Sequence, residues 1–135
     1  MAAPDPQALA AAMPFAVAVG AEVTAASAEE VRGRLAWAPE RCTSGGTLHG
    51  GAIMALADTC GAVCAYLNLP AGAQATATIE SKTNFLRAVQ GGAVIATTKP
   101  LHKGRTLIVL DTEVAREDGK LAARVTQTQV YHYAR

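Results

Sequence analysis

A lone carboxylate in an apolar helix and a histidine beside two glycines are the groups in this sequence best placed to do chemistry. Residues 45–67, GGTLHGGAIMALADTCGAVCAYL, read as a glycine-rich turn running into one long, nearly apolar helix. Asp58 is the single charge in that helix, and a carboxylate in such a setting is rare unless it is paired or used. The turn ahead of it carries Leu48-His49-Gly50-Gly51. A helix start leaves its first N–H groups unpaired, and the helix dipole makes that end positive. Gly50 and Gly51 lack side chains, so a substrate oxygen can approach those N–H groups closely. That is the raw material of an oxyanion hole. Asp58 would then be a nucleophile or a general base.

Spacing constrains this reading. Gly50 and Asp58 are eight positions apart, roughly 12 Å along a helix. A reacting carbon must sit within about 3.5 Å of its attacker and beside the oxyanion donors. One helix cannot easily present both groups to one carbonyl, whereas two copies can, with Gly50 from one chain and Asp58 from another. An active site here therefore implies a dimer with shared sites. The plainer alternative is a glycine turn that is only a turn and an Asp58 that is a satisfied structural residue.

The remaining elements must position these groups. Residues 1–4 read as frayed, and Asp5-Pro6 as the N-cap and first-turn proline of a short helix through about Ala12, ended by Pro14. Residues 15–19 read as the start of a strand that 22–25 continue past Gly20, and 31–37 alternate with period two as a second strand. An irregular loop, 39–46, leads into the long helix, which Leu69-Pro70-Ala71-Gly72 closes. Four strands follow, at 74–85, 92–101, 106–116 and 121–133, and Glu117-Asp118-Gly119-Lys120 is a hairpin signal. Helix and sheet segregate, which makes the class α+β.

Composition narrows the functions. A chain of 135 residues, 50% apolar and 17% charged, reads as one globular domain with a real core. A net charge of +1 gives no electrostatic argument for nucleic acid or a membrane surface. The aromatics are only Phe15, Trp37, Tyr66, Phe85, Tyr131 and Tyr133, too few for a base-stacking platform. Cys42, Cys60 and Cys64 are odd in number and lack framework spacing, which argues for reduced thiols in a cytosolic setting, and the lack of a C-x-x-C pair argues against zinc. Cys60 and Cys64 are one helical turn apart and read as small core residues. The N-terminal stretch has no Lys or Arg and carries Asp5, unlike a signal peptide. The long helix raises the question of a membrane span, but Asp58, Thr59 and Gly61 favour a core helix. None of Ser27, Ser44 and Ser81 sits in G-x-S-x-G, and no phosphate-binding glycine motif is present.

Gly46-Thr47-Leu48-His49-Gly50-Gly51, followed by Leu56-Ala57-Asp58-Thr59, resembles the hotdog-fold acyl-CoA thioesterases, and more closely their phenylacetate-degradation branch. The resemblance runs through Pro14-Phe15, Thr83-Asn84-Phe85-Leu86, Lys103-Gly104-Arg105-Thr106 and Asp118-Gly119-Lys120-Leu121, nearly the whole chain.

It implies an antiparallel sheet wrapped around one long central helix, with two chains paired sheet edge to sheet edge and dimers commonly paired again into tetramers. The substrate would be an acyl-CoA thioester, cleaved without metal or redox cofactor at sites on the dimer interface. By analogy the Gly50 N–H polarises the carbonyl, and Asp58 of the partner chain acts as nucleophile or general base. Thr78 falls where a relative carries a serine that positions water or the acid, and His49 shapes the turn near the thioester. Thr43 stands where the family often has Asn or Gln; it is shorter and offers one hydroxyl in place of an amide. Arg87, Lys103 and Arg105, with Gly104 giving backbone access, are the candidates for the anionic nucleotide end of CoA. Two other readings remain. A non-catalytic acyl-CoA-binding or regulatory protein of the same fold is favoured by Thr43 and opposed by Asp58. A dehydratase or hydratase would need a different acid–base pairing from a histidine that precedes the helix.

Overall fold

The computed structural model describes residues 5–135; the fraying expected of residues 1–4 lies outside the described residues. Two short helices open the chain. In α1 (Pro6–Ala11) the Asp5 side chain accepts from the Gln7 N–H at 3.0 Å, and Pro6 fills the first turn. The expected strand at 15–19 is instead a helix, α2 (Pro14–Val19). The alternation Phe-Ala-Val-Ala-Val resembles a strand, but the flanking residues decide the matter. Pro14 suits a first helical turn, and Gly20 at φ 85° supplies a left-handed stop that a side chain would resist. Only Ala16 of this helix is buried, so no sheet claims its apolar residues.

Strands β1 (Glu22–Ala26) and β2 (Val31–Ala36) come next, then a single 3-10 turn at Pro39–Arg41 and the central helix α3 (Gly50–Leu67). Strands β3 (Ala73–Phe85), β4 (Ala93–Lys103), β5 (Leu107–Arg116) and β6 (Leu121–Tyr133) complete one antiparallel sheet, in the order β1-β2-β4-β5-β6-β3. The expected elements after residue 20 are all present, with ends moved by a few residues. The long helix begins at Gly50, because Gly45 and Gly46 adopt φ of 85° and 76° and belong to the turn.

The core is the face of the sheet that carries α3. Leu56, Cys60 and Cys64 are fully buried against Val31, Leu35, Val94, Ile108, Leu110 and Val114. Burying one large aliphatic side chain of this kind contributes about 1.5–3 kcal/mol. Small residues let the helix sit close. A Cβ on Gly33 of β2 would lie 2.4 Å from Cys60 Sγ, so the helix thiol occupies the space a side chain there would need. Though apolar and long enough to cross a membrane, α3 lays one face on the sheet and buries ten residues, among them Ile53, Leu56 and Val63. Its other face is a stripe of Gly51, Met54, Ala55, Asp58, Ala62 and Tyr66 that the rest of the chain leaves half-covered or exposed. Asp58 is thus in the middle of an apolar sequence but not in the core. At the end of the sheet, β3 pairs among the described residues with β6 on one side only, which leaves a 13-residue edge open.

Candidate active site

The turn before α3 is pinned on all sides. An isolated bridge joins Cys42 to Leu48, and the Thr43 N–H donates to the Thr47 carbonyl at 2.8 Å. Trp37 Nε1 donates to the Gly46 carbonyl at 2.9 Å, the Leu48 N–H to Val89 and the His49 N–H to Arg41, each at 2.9 Å. Arg41 is itself fixed, through Nε to the Val19 carbonyl at 2.7 Å and Nη1 to that of Ala36 at 3.0 Å.

His49 is the N-cap of α3. Its Nδ1 accepts from the Gly51 N–H at 2.8 Å, and its carbonyl accepts from the Ala52 N–H at 2.9 Å. With Nδ1 an acceptor, a neutral imidazole carries its hydrogen on Nε2. Gly51 is therefore spoken for, while the Gly50 N–H has no partner among the described residues. A side chain at either glycine would crowd a neighbouring ring. A Cβ on Gly51 would lie 2.9 Å from His49 Nδ1, and one on Gly50 would lie 2.9 Å from the tip of the Phe85 ring.

Two turns along the helix, Asp58 meets the sheet. Thr78 Oγ1 donates to Asp58 Oδ1 at 2.7 Å, and Gln127 Nε2 donates to the same oxygen. Gln129 Nε2 donates to Thr78 Oγ1 at 2.7 Å and to Gln127 Oε1 at 3.2 Å. The other oxygen, Oδ2, receives no hydrogen bond among the described residues. Gly61, one turn beyond Asp58, faces the Gln127 carboxamide directly. A glycine in a helix interior costs roughly 0.5–1 kcal/mol against alanine, and here it makes room for that amide.

The structure thus joins Asp58 to Thr78 and places His49 with Gly50, but it keeps the two groups apart in one chain by the length of two helical turns. Thr43 lies exposed at the base of the glycine turn, nearer Gly50 in sequence than Asp58. The cationic candidates separate as well. Arg87 lines a hollow of about 310 Å³ with Thr47, Leu48, Gly50 and Phe85, and its Nη1 donates to the Leu121 carbonyl at 2.9 Å. Lys103, Gly104 and Arg105 form the β4–β5 turn, where the Gly104 N–H donates to the Leu107 carbonyl at 2.9 Å. Lys103 pairs with Ile108, Ile108 with Gln129 and Gln129 with Thr78, so that turn is in register with the Asp58 end of the helix. Phe85, beside Arg87, pairs with Ala123 near the other end of β6. One chain does not gather these cations into one patch.

Gln127 and Gln129 are absent from the site read in the sequence. The signal was there: period two along β6 sets them on one face with Ala123, Val125 and Tyr131, an inward face on which two carboxamides are out of place. The two cysteines of α3 are not reagents. Burial pushes the Cys60 thiol up to about 12 and the Cys64 thiol up to about 11, so both stay protonated near neutral pH.

A family model described as the thioesterase superfamily matches residues 45–123, which hold the turn, the helix and three of the strands that face it. A mutant form of a thioesterase of Pseudomonas aeruginosa superimposes with a TM-score of 0.91 at 26% identity, over 98% of this chain and 97% of that one. By sequence alone that Pseudomonas protein is 36% identical over 87 residues, 63% of this chain and 60% of the relative. The 1,4-dihydroxy-2-naphthoyl-CoA hydrolase of Escherichia coli is 38% identical over 76 residues, 56% of this chain and 55% of the relative. The sequence match thus spans little more than half the length of the curated relatives. A Haemophilus influenzae thioesterase shares the fold with a TM-score of 0.90 at 24% identity, over 98% of this chain and 93% of that one.

Proposed function

The chain belongs to the thioesterase superfamily, and we propose that it hydrolyses an acyl-CoA thioester to CoA and the free acid. The observation that carries this is the Asp58 carboxylate, held at Oδ1 by Thr78 and Gln127 and open at Oδ2 on an exposed helix face. Two donors brace Oδ1, and Oδ2 receives no hydrogen bond among the described residues.

The Gly50 N–H supplies the complementary part. Unpaired at the positive end of α3, it suits a carbonyl oxygen that gains negative charge as the carbon becomes tetrahedral. Because about 12 Å of helix separates it from Asp58, we assign the two to different chains of a homodimer. The open edge of β3 suits the pairing, since a long unpaired strand is a template for another strand. Asp58 then either attacks the carbonyl carbon and expels CoA thiolate, leaving an anhydride for water to cleave, or takes a proton from a water that attacks instead. Both routes consume one water and release the acid and the thiol. Lys103 and Arg105 on one side, and Arg87 on the other, are the side chains assigned to the nucleotide phosphates. No metal or redox group is needed for this chemistry. The free cysteines suit a reducing cytosol. Asp at 58 favours the phenylacetate-degradation branch of the superfamily.

The test is thiol release from purified protein on aryl, short-chain and long-chain acyl-CoA, with 1,4-dihydroxy-2-naphthoyl-CoA included because a relative bears that name. Asp58→Asn is run beside it and is expected to lower kcat at least about 100-fold with the fold intact. Equal rates in the two proteins would remove Asp58 from the mechanism. The second reading, an acyl-CoA-binding protein without turnover, is favoured by Thr43, whose short side chain lies exposed on the turn. Tight binding of the esters with no thiol released would establish it.

A further inference from the structure

Two carboxamides, each 1% exposed, interrupt the otherwise apolar inward row of β6. We propose that Gln129 is a positioning residue. Its one side-chain nitrogen sets the direction of both hydrogen bonds that hold Asp58 Oδ1, and so makes Oδ2 the reacting oxygen. The inference rests on the reading of Asp58 as the reacting carboxylate.

Gln129 Nε2 carries two hydrogens, and it donates to Thr78 Oγ1 at 2.7 Å and to Gln127 Oε1 at 3.2 Å. A hydroxyl whose lone pair is taken by Gln129 is left with its own hydrogen to give, and Asp58 Oδ1 lies 2.7 Å away. A carboxamide whose oxygen is taken by Gln129 must turn its nitrogen the other way, which is toward the same Asp58 oxygen. Rotating Gln127 by half a turn would set its oxygen against the carboxylate and its nitrogen against the Gln129 nitrogen, two repulsions in place of two bonds. Gly61 removes the remaining obstacle, since a Cβ there would lie 1.7 Å from Gln127 Oε1. Both donors therefore converge on one oxygen without competing for the other. An exposed carboxylate lacking such bracing samples several rotamers, and a displacement of about 1 Å at a reacting atom can cost ~100-fold in rate.

The test pairs kinetics with a spectrum. Gln129→Leu is expected to lower kcat about tenfold or more while KM stays within about twofold, because orientation and not ester binding is lost. In a Thr78→Val, Gln127→Leu background the same substitution should change kcat no further, since nothing is left for Gln129 to orient. An unchanged kcat in the folded single variant, or a loss that multiplies through that background, would overturn the proposal. Side-chain amide NMR keeps it testable without turnover. The Gln127 NH₂ hydrogens should be protected from exchange in the unsubstituted protein and lose that protection in Gln129→Leu. Protection unaltered by the substitution overturns the orientation network whatever the activity; absence of thiol release from the unsubstituted protein overturns the thioesterase reading instead.

Discussion

Gln127 and Gly61 share one space: the carboxamide oxygen of the first lies 1.7 Å from where a Cβ on the second would be. Neither alanine nor any larger residue fits at 61 while Gln127 holds Asp58 Oδ1. Gly61→Ala, which in an ordinary helix interior would stabilise by roughly 0.5–1 kcal/mol, is here expected to destabilise by about 1–2 kcal/mol through overpacking. A thermal melt should show a Tm lower by several degrees, with kcat reduced as the amide is driven from the carboxylate. A raised Tm would show that Gln127 gives way without cost.

Gly50 is the first residue of α3, a position that accepts proline. Gly50→Ala and Gly50→Pro both bring a Cβ against the Phe85 ring, 2.9 Å away, but only proline removes the N–H. The proline variant should therefore turn over at least about 100-fold more slowly than the alanine variant, the scale of one lost oxyanion donor. Equal rates for the two would take the Gly50 N–H out of the reaction.

Sharing of sites between chains is tested by mixing. Asp58→Asn chains and Gly50→Pro chains, each inactive alone, are unfolded together and refolded in equal amounts. Half the dimers are mixed and half their sites intact, so about a quarter of the unsubstituted activity should return. Native mass spectrometry verifies the mixed dimers; if these form and stay inactive, both groups do not come from different chains.

Thr83 Oγ1, on the strand that runs beside α3, is buried without a hydrogen-bond partner among the described residues. Leaving such a hydroxyl unpaired costs about 1–3 kcal/mol, and valine has the same shape without it. Thr83→Val should raise the urea midpoint by an amount worth about 1 kcal/mol. A fall would mean that the hydroxyl has a use in the assembled protein.

Most of the frame was legible because hydrophobic period and turn residues act locally. The strands after α3 follow from alternation, and the helix itself from a long apolar run closed by Leu69-Pro70-Ala71-Gly72. Residues 15–19 misled because five alternating apolar and small residues suit either state, and Pro14 and Gly20 at the two ends outweighed them. Thr78 enters through the resemblance and not through any local pattern, and the structure sets its hydroxyl 2.7 Å from Asp58 Oδ1. Locally Gln127 stands out only as a carboxamide on an inward strand face; its partner Asp58 lies 69 positions away in the chain, and no local pattern pairs the two. The same holds for Phe85 over Gly50, and for the distance that register puts between Arg87 and the Lys103 turn.

The contact between Gly33 and Cys60 makes the thiol a clock. With the sulfur fully buried in the space of a missing side chain, and its pKa pushed up to about 12, no alkylating reagent finds a thiolate while helix and sheet stay together. Labelling of Cys60 then proceeds only as fast as α3 leaves the sheet. Its rate against that of the half-buried Cys42 reads the opening of this fold directly, with no denaturant present.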